Sequence, residues 1–374
     1  MTTLIKNARL FTRKGLVPGD VCLTPQGLAA PAAADATIDV AGAILAPGLV
    51  DVHIHGSFDV DCLDGGDSVA TMAAGLPRFG VTGFLPSLAA APLPTMTAAM
   101  VAACEYMSAS NPMAAKVYGV HLEGPFFNPA RAGAQPHEAL RLPNLADYQA
   151  IVGEHEKHVK KISLSCELPG GIDFARELAA RGVAVSLAHT EATAEQAHEI
   201  FGAGVRHFTH CFNAAGPMFN RAPGPAIAAL NDARITLEMI CDNVHLHRDL
   251  MKVMLCCAAD RIIGITDAMM AAGTGREGEF MLAGQKVYVK DGAARLDSES
   301  LAGSVATLDF VTQNLMKLGL SQYDALACTA SRPRTTHGLP GGFVEPGAPA
   351  DVVLFDDDLR VLATYIDGRE VYKS

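Results

Sequence analysis

Tryptophan is absent from this 374-residue chain, aromatic residues make up only 6% of it, and charged residues only 18%. Hydrophobic residues nevertheless reach 49%, which is enough to build a large core from aliphatic side chains. No apolar run is long enough to span a membrane, and the opening segment MTTLIKNARLFTRKG lacks the uninterrupted apolar stretch of a signal peptide. The composition therefore predicts a soluble, cytoplasmic protein with no membrane contact.

A basic excess is also missing, because 29 Lys and Arg stand against 40 Asp and Glu, for a net charge of −11. Such a surface does not attract phosphates in bulk, so neither nucleic acid nor an anionic membrane is expected as a partner. The nine cysteines form no Cys-x-x-Cys pair, and an odd number without regular spacing favours a reducing cytoplasm. Several lie in apolar runs and are expected to behave as small hydrophobes: Cys62, Cys104, Cys166, Cys256 and Cys257.

The two ends of the chain differ from its middle. Residues 1–48 and 339–374 alternate short apolar runs with Gly, Pro and Asp turns, and together they predict one small β-sandwich domain. Residues 49–338 instead alternate strand-like runs with Ala-rich helical segments, which implies a parallel sheet of the α/β class. Eight such units fit a (β/α)₈ TIM-like barrel better than a doubly wound sheet, and no G-x-G-x-x-G follows the first strand. The predicted strands are 49–55, 81–87, 117–123, 161–166, 183–189, 207–210, 235–241 and 262–267.

The first barrel strand lies in the run PGLVDVHIHG, in which His53 and His55 are two residues apart. Side chains at that spacing point to the same face of a strand, and two neutral imidazoles side by side form half of a metal site. Chance alone often produces this spacing in a chain with 13 His, and His245 and His247 repeat it here. The pair gains meaning only from the ends of the other strands.

Four more strands end in a residue that commonly binds metals. Glu123 ends the third strand, His189 the fifth, His210 the sixth and Asp267 the eighth. Each has an ordinary alternative, since a single histidine is usually a core or surface residue and Asp267 is also a candidate helix N-cap. In a (β/α)₈ barrel, however, the carboxyl ends of the strands meet at one rim, where active sites lie. The joint pattern predicts a metal centre at that rim.

These segments, in this order, resemble the amidohydrolase superfamily. Within it, HLEGPFFNPARAGA, AHTEAT, THCFNA and LAGSVATLD closely resemble the N-acetylglucosamine-6-phosphate deacetylase family. The resemblance implies a metal-dependent amide hydrolase that acts on an amino-sugar phosphate and forms a homodimer or a higher homo-oligomer. Many superfamily members use a carboxylated lysine at the end of the fourth strand. Here Lys160 and Lys161 lie at the start of that strand, and Glu123 stands where the family has its bridging carboxylate.

The metal centre is expected to hold one or two divalent ions per subunit, with zinc the expected metal and Fe, Mn or Co as alternatives. Glu123, His189 and His210 provide one position, and His53, His55 and Asp267 could hold a second with Glu123 bridging. Family members that lack the first-strand histidine pair bind a single metal, so the resemblance implies a site able to hold two. Asp267 is also expected to be the general base, which takes a proton from the attacking water and returns it to the leaving amine.

The resemblance further implies the contacts with the substrate. His245 is expected to hydrogen-bond the substrate and polarise its carbonyl, whereas His247 is interpreted as a loop residue. Arg221 matches the phosphate-binding arginine of the family, and a guanidinium suits bidentate recognition of phosphate. Asn213 and Ala214 match the segment that offers amide and backbone contacts.

One position departs from the family pattern. Where the family commonly has a histidine, this chain has Gln135, followed two residues later by His137. Either His137 reaches the same place through a shifted loop, or the phosphate contact is weakened, since glutamine donates a hydrogen bond but carries no charge. The leading prediction is hydrolysis of N-acetylglucosamine 6-phosphate to glucosamine 6-phosphate and acetate. The alternatives are a deacetylase of another N-acyl amino sugar, galactosamine-type or unphosphorylated, and a catalytically silent scaffold.

Overall fold

The computed structural model describes residues 1–109 and 111–374, and both termini contribute to one eight-stranded sheet. Its strands are Thr3–Thr12, Gly15–Thr24, Gly27–Ala29, Ala36–Asp39, Ile44–Pro47, Val352–Phe355, Val361–Ile366 and Arg369–Lys373. The C-terminal strand Val352–Phe355 pairs antiparallel with Ile44–Pro47, which joins the two ends of the chain. A register shift between Ile5 and Ala8 bends the first strand, so that its two halves pair with different neighbours.

The middle of the chain forms the predicted parallel barrel, in which each strand pairs with the next one along the sequence. The barrel strands, called first to eighth below, are Leu49–Ile54, Val81–Ala89, Val120–Glu123, Val159–Leu164, Ala184–Leu187, His207–Phe208, Thr236–Ile240 and Ile262–Ile265. The short strand Lys116–Val117 also pairs with the second strand. Two hydrogen bonds join the segment after the eighth strand to the first strand, from the Asp267 amide to the His53 carbonyl and from the His55 amide to the Ala268 carbonyl, both 2.9 Å. The predicted fold class is confirmed.

In the described part of the chain, seven helices connect successive barrel strands, as parallel strand order requires, and three more follow the eighth strand. They are Ser68–Gly75, Leu93–Ala109, Leu145–Val152, Gly171–Ala180, Ala194–Gly202, Gly224–Asn231, Arg248–Ala258, Leu308–Lys317, Gln322–Leu326 and Arg332–His337. In Gly171–Ala180, for example, the buried side chains of Phe174, Ala175 and Leu178 recur at helical spacing and face the sheet. Among the described residues, no helix is both long and apolar enough to cross a membrane.

The helix Arg248–Ala258 corrects one expectation about the cysteines. It buries residues at spacings of three, one and three: Met251, Met254, Leu255 and Ala258. Cys256 and Cys257 fall outside that apolar stripe and are exposed, so the prediction that they act as buried hydrophobes is wrong. The other three cysteines of that prediction are buried.

A small antiparallel sheet, called the insertion sheet below, follows the eighth barrel strand and was not predicted. It consists of Gly278–Leu282, Gln285–Lys290 and Ala293–Arg295. Ala-Gly at 283–284 and Asp-Gly at 291–292 separate its strands. Asp-Gly between alternating runs is a strong hairpin signal, so the sequence contained the information needed to find this sheet.

A buried arginine fixes the start of the first barrel strand. Arg334 is 2% exposed, and its Nη1 donates to the carbonyl oxygens of Gly48 (2.5 Å) and Ala330 (2.9 Å). Its Nε donates to the carbonyl oxygen of Pro340 (3.0 Å). Because Gly48 directly precedes the strand that carries the histidine pair, this one side chain ties that strand to the C-terminal helix Arg332–His337.

Replacing Arg334 with methionine removes the donors while keeping a long side chain. We expect the free energy of unfolding to fall by about 3 kcal/mol, because hydrogen bonds to charged groups contribute about 1.5–3 kcal/mol each and the carbonyls would stay buried. Urea denaturation followed by circular dichroism measures this change. The control Arg360→Met removes only exposed ion pairs and should lower the free energy of unfolding by less than about 1 kcal/mol. Equal effects of the two substitutions would contradict the assigned role of Arg334.

Candidate metal centre and active site

All six residues predicted to bind metal lie together at one end of the barrel: His53, His55, Glu123, His189, His210 and Asp267. The fifth, sixth and eighth strands end earlier than predicted, so that His189, His210 and Asp267 each lie two residues beyond a strand end. Their φ angles are 45°, 30° and 49°, in the left-handed region that non-glycine residues seldom adopt. Such conformations cost about 1–3 kcal/mol and cluster at functional sites, where they aim side chains that a regular strand would direct elsewhere.

The carboxylate of Glu123 lies at the centre of the group and is 2% exposed. Its Oε1 is 3.0 Å from Nε2 of His210, 3.4 Å from Nε2 of His189 and 3.3 Å from Nε2 of His53. Its Oε2 is 3.1 Å from Nε2 of His55. The donor atoms of Glu123, His189 and His210 lie within 4.8 Å of one another, as do those of His53, His55 and Glu123. One carboxylate therefore joins two groups of ligand atoms.

The hydrogen bonds of the Nδ1 atoms determine whether the Nε2 atoms of these histidines can bind a metal. Nδ1 of His55 donates to the carbonyl oxygen of Ser87 (2.9 Å), and Nδ1 of His189 donates to that of Arg131 (2.8 Å). Since a carbonyl only accepts, each neutral ring directs the lone pair of Nε2 into the site. Nε2 of His53 is only 3.3 Å from Nε2 of His55, where two lone pairs repel unless a cation shares them. Imidazole nitrogens and carboxylate oxygens in this arrangement fit a divalent metal.

The electrostatics agree with a site that attracts positive charge. Burial lowers the pKa of His53, but the charges of Asp267 and Glu123 outweigh it and raise that pKa to about 9. The pKa of His55 is raised well above its ordinary value, because the same carboxylates outweigh its burial. Burial in turn raises the pKa of Glu123, but the two histidines bring it well below its ordinary value. The buried carboxylates thus require cations around them.

A cavity of about 420 Å³ opens onto this group, within the ~300–1,000 Å³ that is common for small-molecule sites. Its lining includes five of the six ligand-type residues, and His53 lies fully buried beneath them. It also includes four residues predicted to contact substrate: Gln135, Asn213, Ala214 and His245. His137 and Arg221 are exposed and lie outside the lining.

His245 is held by an aspartate three residues earlier in the chain. Its Nδ1 donates to Oδ2 of Asp242 (2.7 Å), while the backbone amide of His245 donates to Oδ1 of the same carboxylate (2.9 Å). Burial lowers the pKa of His245, but Asp242 outweighs it and raises that pKa above the ordinary value. The raised pKa favours a second proton on Nε2, and with that proton His245 would donate a hydrogen bond toward the cavity. His247 instead caps the helix Arg248–Ala258 and is exposed.

Comparisons with known proteins agree with this geometry, and the sequence model of the Amidohydrolase family matches residues 44–371. The chain is 33% identical over 376 residues to the N-acetylgalactosamine-6-phosphate deacetylase of Escherichia coli O157:H7, with 99% of both chains covered. It is 31% identical over 341 residues to the N-acetylglucosamine-6-phosphate deacetylase of Bacillus subtilis (strain 168), covering 89% of this chain and 86% of that protein. The chain belongs to the amidohydrolase family.

A solved structure resembles this amidohydrolase over its whole length. It is a mutant N-acetyl-D-glucosamine-6-phosphate deacetylase from Mycobacterium smegmatis, in complex with N-acetyl-D-glucosamine-6-phosphate. The two structures have a TM-score of 0.91 at 29% sequence identity, with 100% of this chain and 99% of the other covered. Within the amidohydrolases, the chain therefore belongs with the N-acetylglucosamine-6-phosphate deacetylases, as its motifs predicted. It is a hydrolase that acts on an amide bond.

Gln135 contacts the central carboxylate of this amidohydrolase. Its Nε2 donates to Oε2 of Glu123 (2.6 Å), and its Oε1 accepts a hydrogen bond from the amide of Ala90 (2.7 Å). The side chain is 7% exposed, and both ends of its amide are used. Gln135 therefore orients Glu123 from the cavity wall, a role that its position in the sequence did not reveal.

Sequence reasoning also missed three charged residues near the site. Lys161 and Glu238 form an ion pair that is buried inside the barrel and reaches His53. Glu238 interrupts the apolar strand Thr236–Ile240, and a carboxylate in a buried strand requires a partner. The sequence therefore contained a signal from which Glu238 could have been recognised. Arg295 ends the insertion sheet and lines the cavity, which no local pattern predicts.

Gln135→Ala should weaken metal retention, because Glu123 loses the donor that orients it. Partners of metal ligands typically contribute about 10–100-fold in metal affinity, and we expect a loss in that range. Metal content after dialysis against graded chelator concentrations measures it. The control Gln313→Ala removes a glutamine that bonds to the carbonyl of Leu359, outside the cavity lining, and should leave retention unchanged. Wild-type retention in Gln135→Ala would show that Glu123 needs no such support.

Proposed function

We propose that this amidohydrolase removes the N-acetyl group of N-acetylglucosamine 6-phosphate, giving glucosamine 6-phosphate and acetate. The observation that carries the proposal is the cluster of histidines around Glu123 at a cavity of about 420 Å³. A cavity of that size suits a single sugar. The named relatives support the choice of an N-acetylated sugar phosphate, and the complete set of ligand-type residues argues against a silent scaffold.

Hydrolysis of an amide needs an activated water, a polarised carbonyl and a proton for the leaving amine. A divalent metal held by Glu123, His189 and His210, with a second at the histidine pair of the first strand, would supply a Lewis acid and lower the pKa of water. Zinc is the proposed ion, and Fe, Mn or Co are alternatives with the same ligand preferences.

Asp267 is the proposed general base. Its Oδ1 lies 3.2 Å from Nε2 of His55 and 3.3 Å from Nε2 of His53, and its side chain lines the cavity. Burial raises the pKa of Asp267, but the two histidines outweigh it and bring that pKa below its ordinary value. The carboxylate is therefore ionised at neutral pH, ready to take a proton from the attacking water and transfer it to the amine nitrogen.

His245, Asn213 and Ala214 are proposed to hold the substrate. Nε2 of His245 would donate to the oxygen of the acetamide or to a sugar hydroxyl. Asn213 uses its Nδ2 to donate to the carbonyl of His210 (3.1 Å), which leaves its amide oxygen free to accept from the sugar.

The 6-phosphate requires a cation at the cavity, and two arginines line it. Arg131 already forms an ion pair with Glu191. Arg295 forms no ion pair in the part of the chain that the structure describes, and its Nη1 donates only to the carbonyl of Glu299 (2.8 Å). Arg295 is therefore the proposed phosphate partner from the same subunit.

Arg221 fits a different arrangement. It lies on an exposed loop beside Met218 and Phe219, which are 57% and 60% exposed. We propose a homodimer that covers these apolar side chains, in which Arg221 contacts the phosphate bound by the partner subunit. A cytoplasmic location completes the proposal, and the nine cysteines, all free of disulfides, support a reducing compartment.

The test of the proposal is a comparison of kcat/KM for N-acetylglucosamine 6-phosphate, N-acetylgalactosamine 6-phosphate and unphosphorylated N-acetylglucosamine. We expect the first to be the best substrate and Asp267→Asn to lower its kcat by about 10²–10⁴-fold, the usual contribution of a general base. No preference for phosphorylated sugars would refute the proposed substrate. A preference for the galactosamine epimer, which the E. coli relative carries in its name, would correct the sugar while keeping the reaction.

Arg295→Gln should raise KM for the phosphorylated sugar by about 10–100-fold, as expected for the loss of a charge-assisted hydrogen bond worth about 1.5–3 kcal/mol. KM for the unphosphorylated sugar should change little. The control Lys286→Gln removes another cation of the insertion sheet, one that pairs with Glu279 outside the cavity lining, and should leave both values unchanged. An equal loss with both sugars would rule out a phosphate contact by Arg295.

A further inference from the structure

A buried ion pair between Lys161 and Glu238 lies inside the barrel and takes no part in the mechanism above. Lys161 is 0% exposed and Glu238 1%, and Nζ of Lys161 bonds to Oε1 of Glu238. Barrel interiors are usually filled by layers of branched apolar side chains. A buried charge pair is costly to desolvate and often no more stabilising than apolar residues of similar volume, so its presence calls for another explanation.

The second carboxylate oxygen of Glu238 points to the metal centre. Oε2 lies 3.2 Å from Nδ1 of His53, and the backbone amide of His210 donates to the same oxygen at 3.4 Å. A carboxylate in this position holds the proton on Nδ1 of His53, which directs the lone pair of Nε2 toward Glu123. It also makes the imidazole a stronger ligand, as carboxylate–histidine–metal arrangements do.

Lys161 determines which role Glu238 can take. Oε1 bonds to the ammonium group and Oε2 to the imidazole, so both oxygens already accept hydrogen bonds, and Glu238 supports His53 instead of facing the cavity as a ligand. The ammonium also balances the third carboxylate in a site that already holds Glu123 and Asp267. Lys161 lies within the fourth strand, Val159–Leu164, and acts there as a counter-ion.

The neighbouring His121 is excluded as an alternative ligand or partner. Its ring lies edge-to-face with that of His53, with centroids 4.6 Å apart. Its Nδ1 is 2.8 Å from Oγ of Ser87 and its Nε2 2.8 Å from Oγ of Ser163, so both nitrogens are occupied. The orientation of His53 therefore depends on Glu238.

We propose that Lys161 and Glu238 are positioning residues that fix His53 as a ligand and thereby determine whether the second metal position, formed by His53, His55 and Asp267 with Glu123, is occupied. In the first position, formed by Glu123, His189 and His210, Glu238 contacts only the backbone amide of His210 and none of the ligand atoms. This inference rests on the proposed metal-dependent function.

Equilibrium dialysis of the full-length protein against increasing Zn²⁺ tests the inference independently of activity. Wild type should bind two ions per chain. Glu238→Gln preserves the shape of the side chain but removes its charge, and we expect the affinity for the second ion to fall by about 10–100-fold, with the first ion unaffected.

A double variant separates positioning from a structural role. Lys161→Met with Glu238→Leu removes both charges together, so that no uncompensated charge stays buried, and it should fold. It should still lose the second ion, because no acceptor holds Nδ1 of His53. The control Ser163→Ala removes a hydroxyl that contacts His121 and should keep both ions.

The outcomes distinguish the inference from the proposed function. Two ions bound with wild-type affinity by both Glu238→Gln and the double variant would overturn the inference alone. A wild type that binds a single ion but hydrolyses the sugar would also overturn it and leave deacetylation standing. A wild type that binds no Zn²⁺ and has no activity would overturn the proposed function, and the inference with it.

Discussion

The carboxylate of Glu123 is the feature on which the rest of the site depends. It is almost fully buried, and a buried carboxylate is tolerated only when surrounding groups compensate its charge. Four histidines direct their Nε2 atoms at the two carboxylate oxygens of Glu123. Gln135 donates a hydrogen bond to one of these oxygens, Oε2. Because Glu123 belongs to both groups of ligand-type residues, this one carboxylate would connect the two proposed metal positions.

The barrel supplies this arrangement through the ends of its strands. Glu123 ends a regular strand, whereas His189, His210 and Asp267 reach the centre from left-handed turns just beyond strand ends. The backbone of Asp267 also closes the barrel against His53. Two of the ligand-type residues, Asp267 and His53, are therefore part of the joint between the last and first strands, and the local strain is balanced by the stability of the whole barrel.

A second layer of residues determines how well the first is held. Gln135 reaches Glu123 from the cavity, and Glu238 reaches His53 from inside the barrel. Through Glu123 and His53, which contact each other, these hydrogen bonds connect the wall of the cavity with the interior of the barrel.

The sequence predicted the eight strands and all six ligand-type residues, because each element has its own local signal and barrel geometry brings the strand ends together. Three strands were predicted to extend to His189, His210 and Asp267, but each ends two residues earlier. No sequence pattern distinguishes the end of a strand from a left-handed turn such as the one at His189. The contact between Gln135 and Glu123 depends on how a loop folds over the rim, and the pairing of Lys161 with Glu238 depends on two distant strands. The insertion sheet could have been recognised by its Asp-Gly turn, but the approach of Arg295 to the cavity could not.

The proposed pair of metal positions around Glu123 is tested most directly by anomalous diffraction. The data would be measured at the zinc absorption edge from crystals of the protein reconstituted with Zn²⁺. We expect two anomalous peaks, one on each side of Glu123 and about 3.5–4 Å apart, as in other two-metal sites. The absence of any peak beside Glu123, or a single peak whose ligands exclude that carboxylate, would contradict the proposed pair.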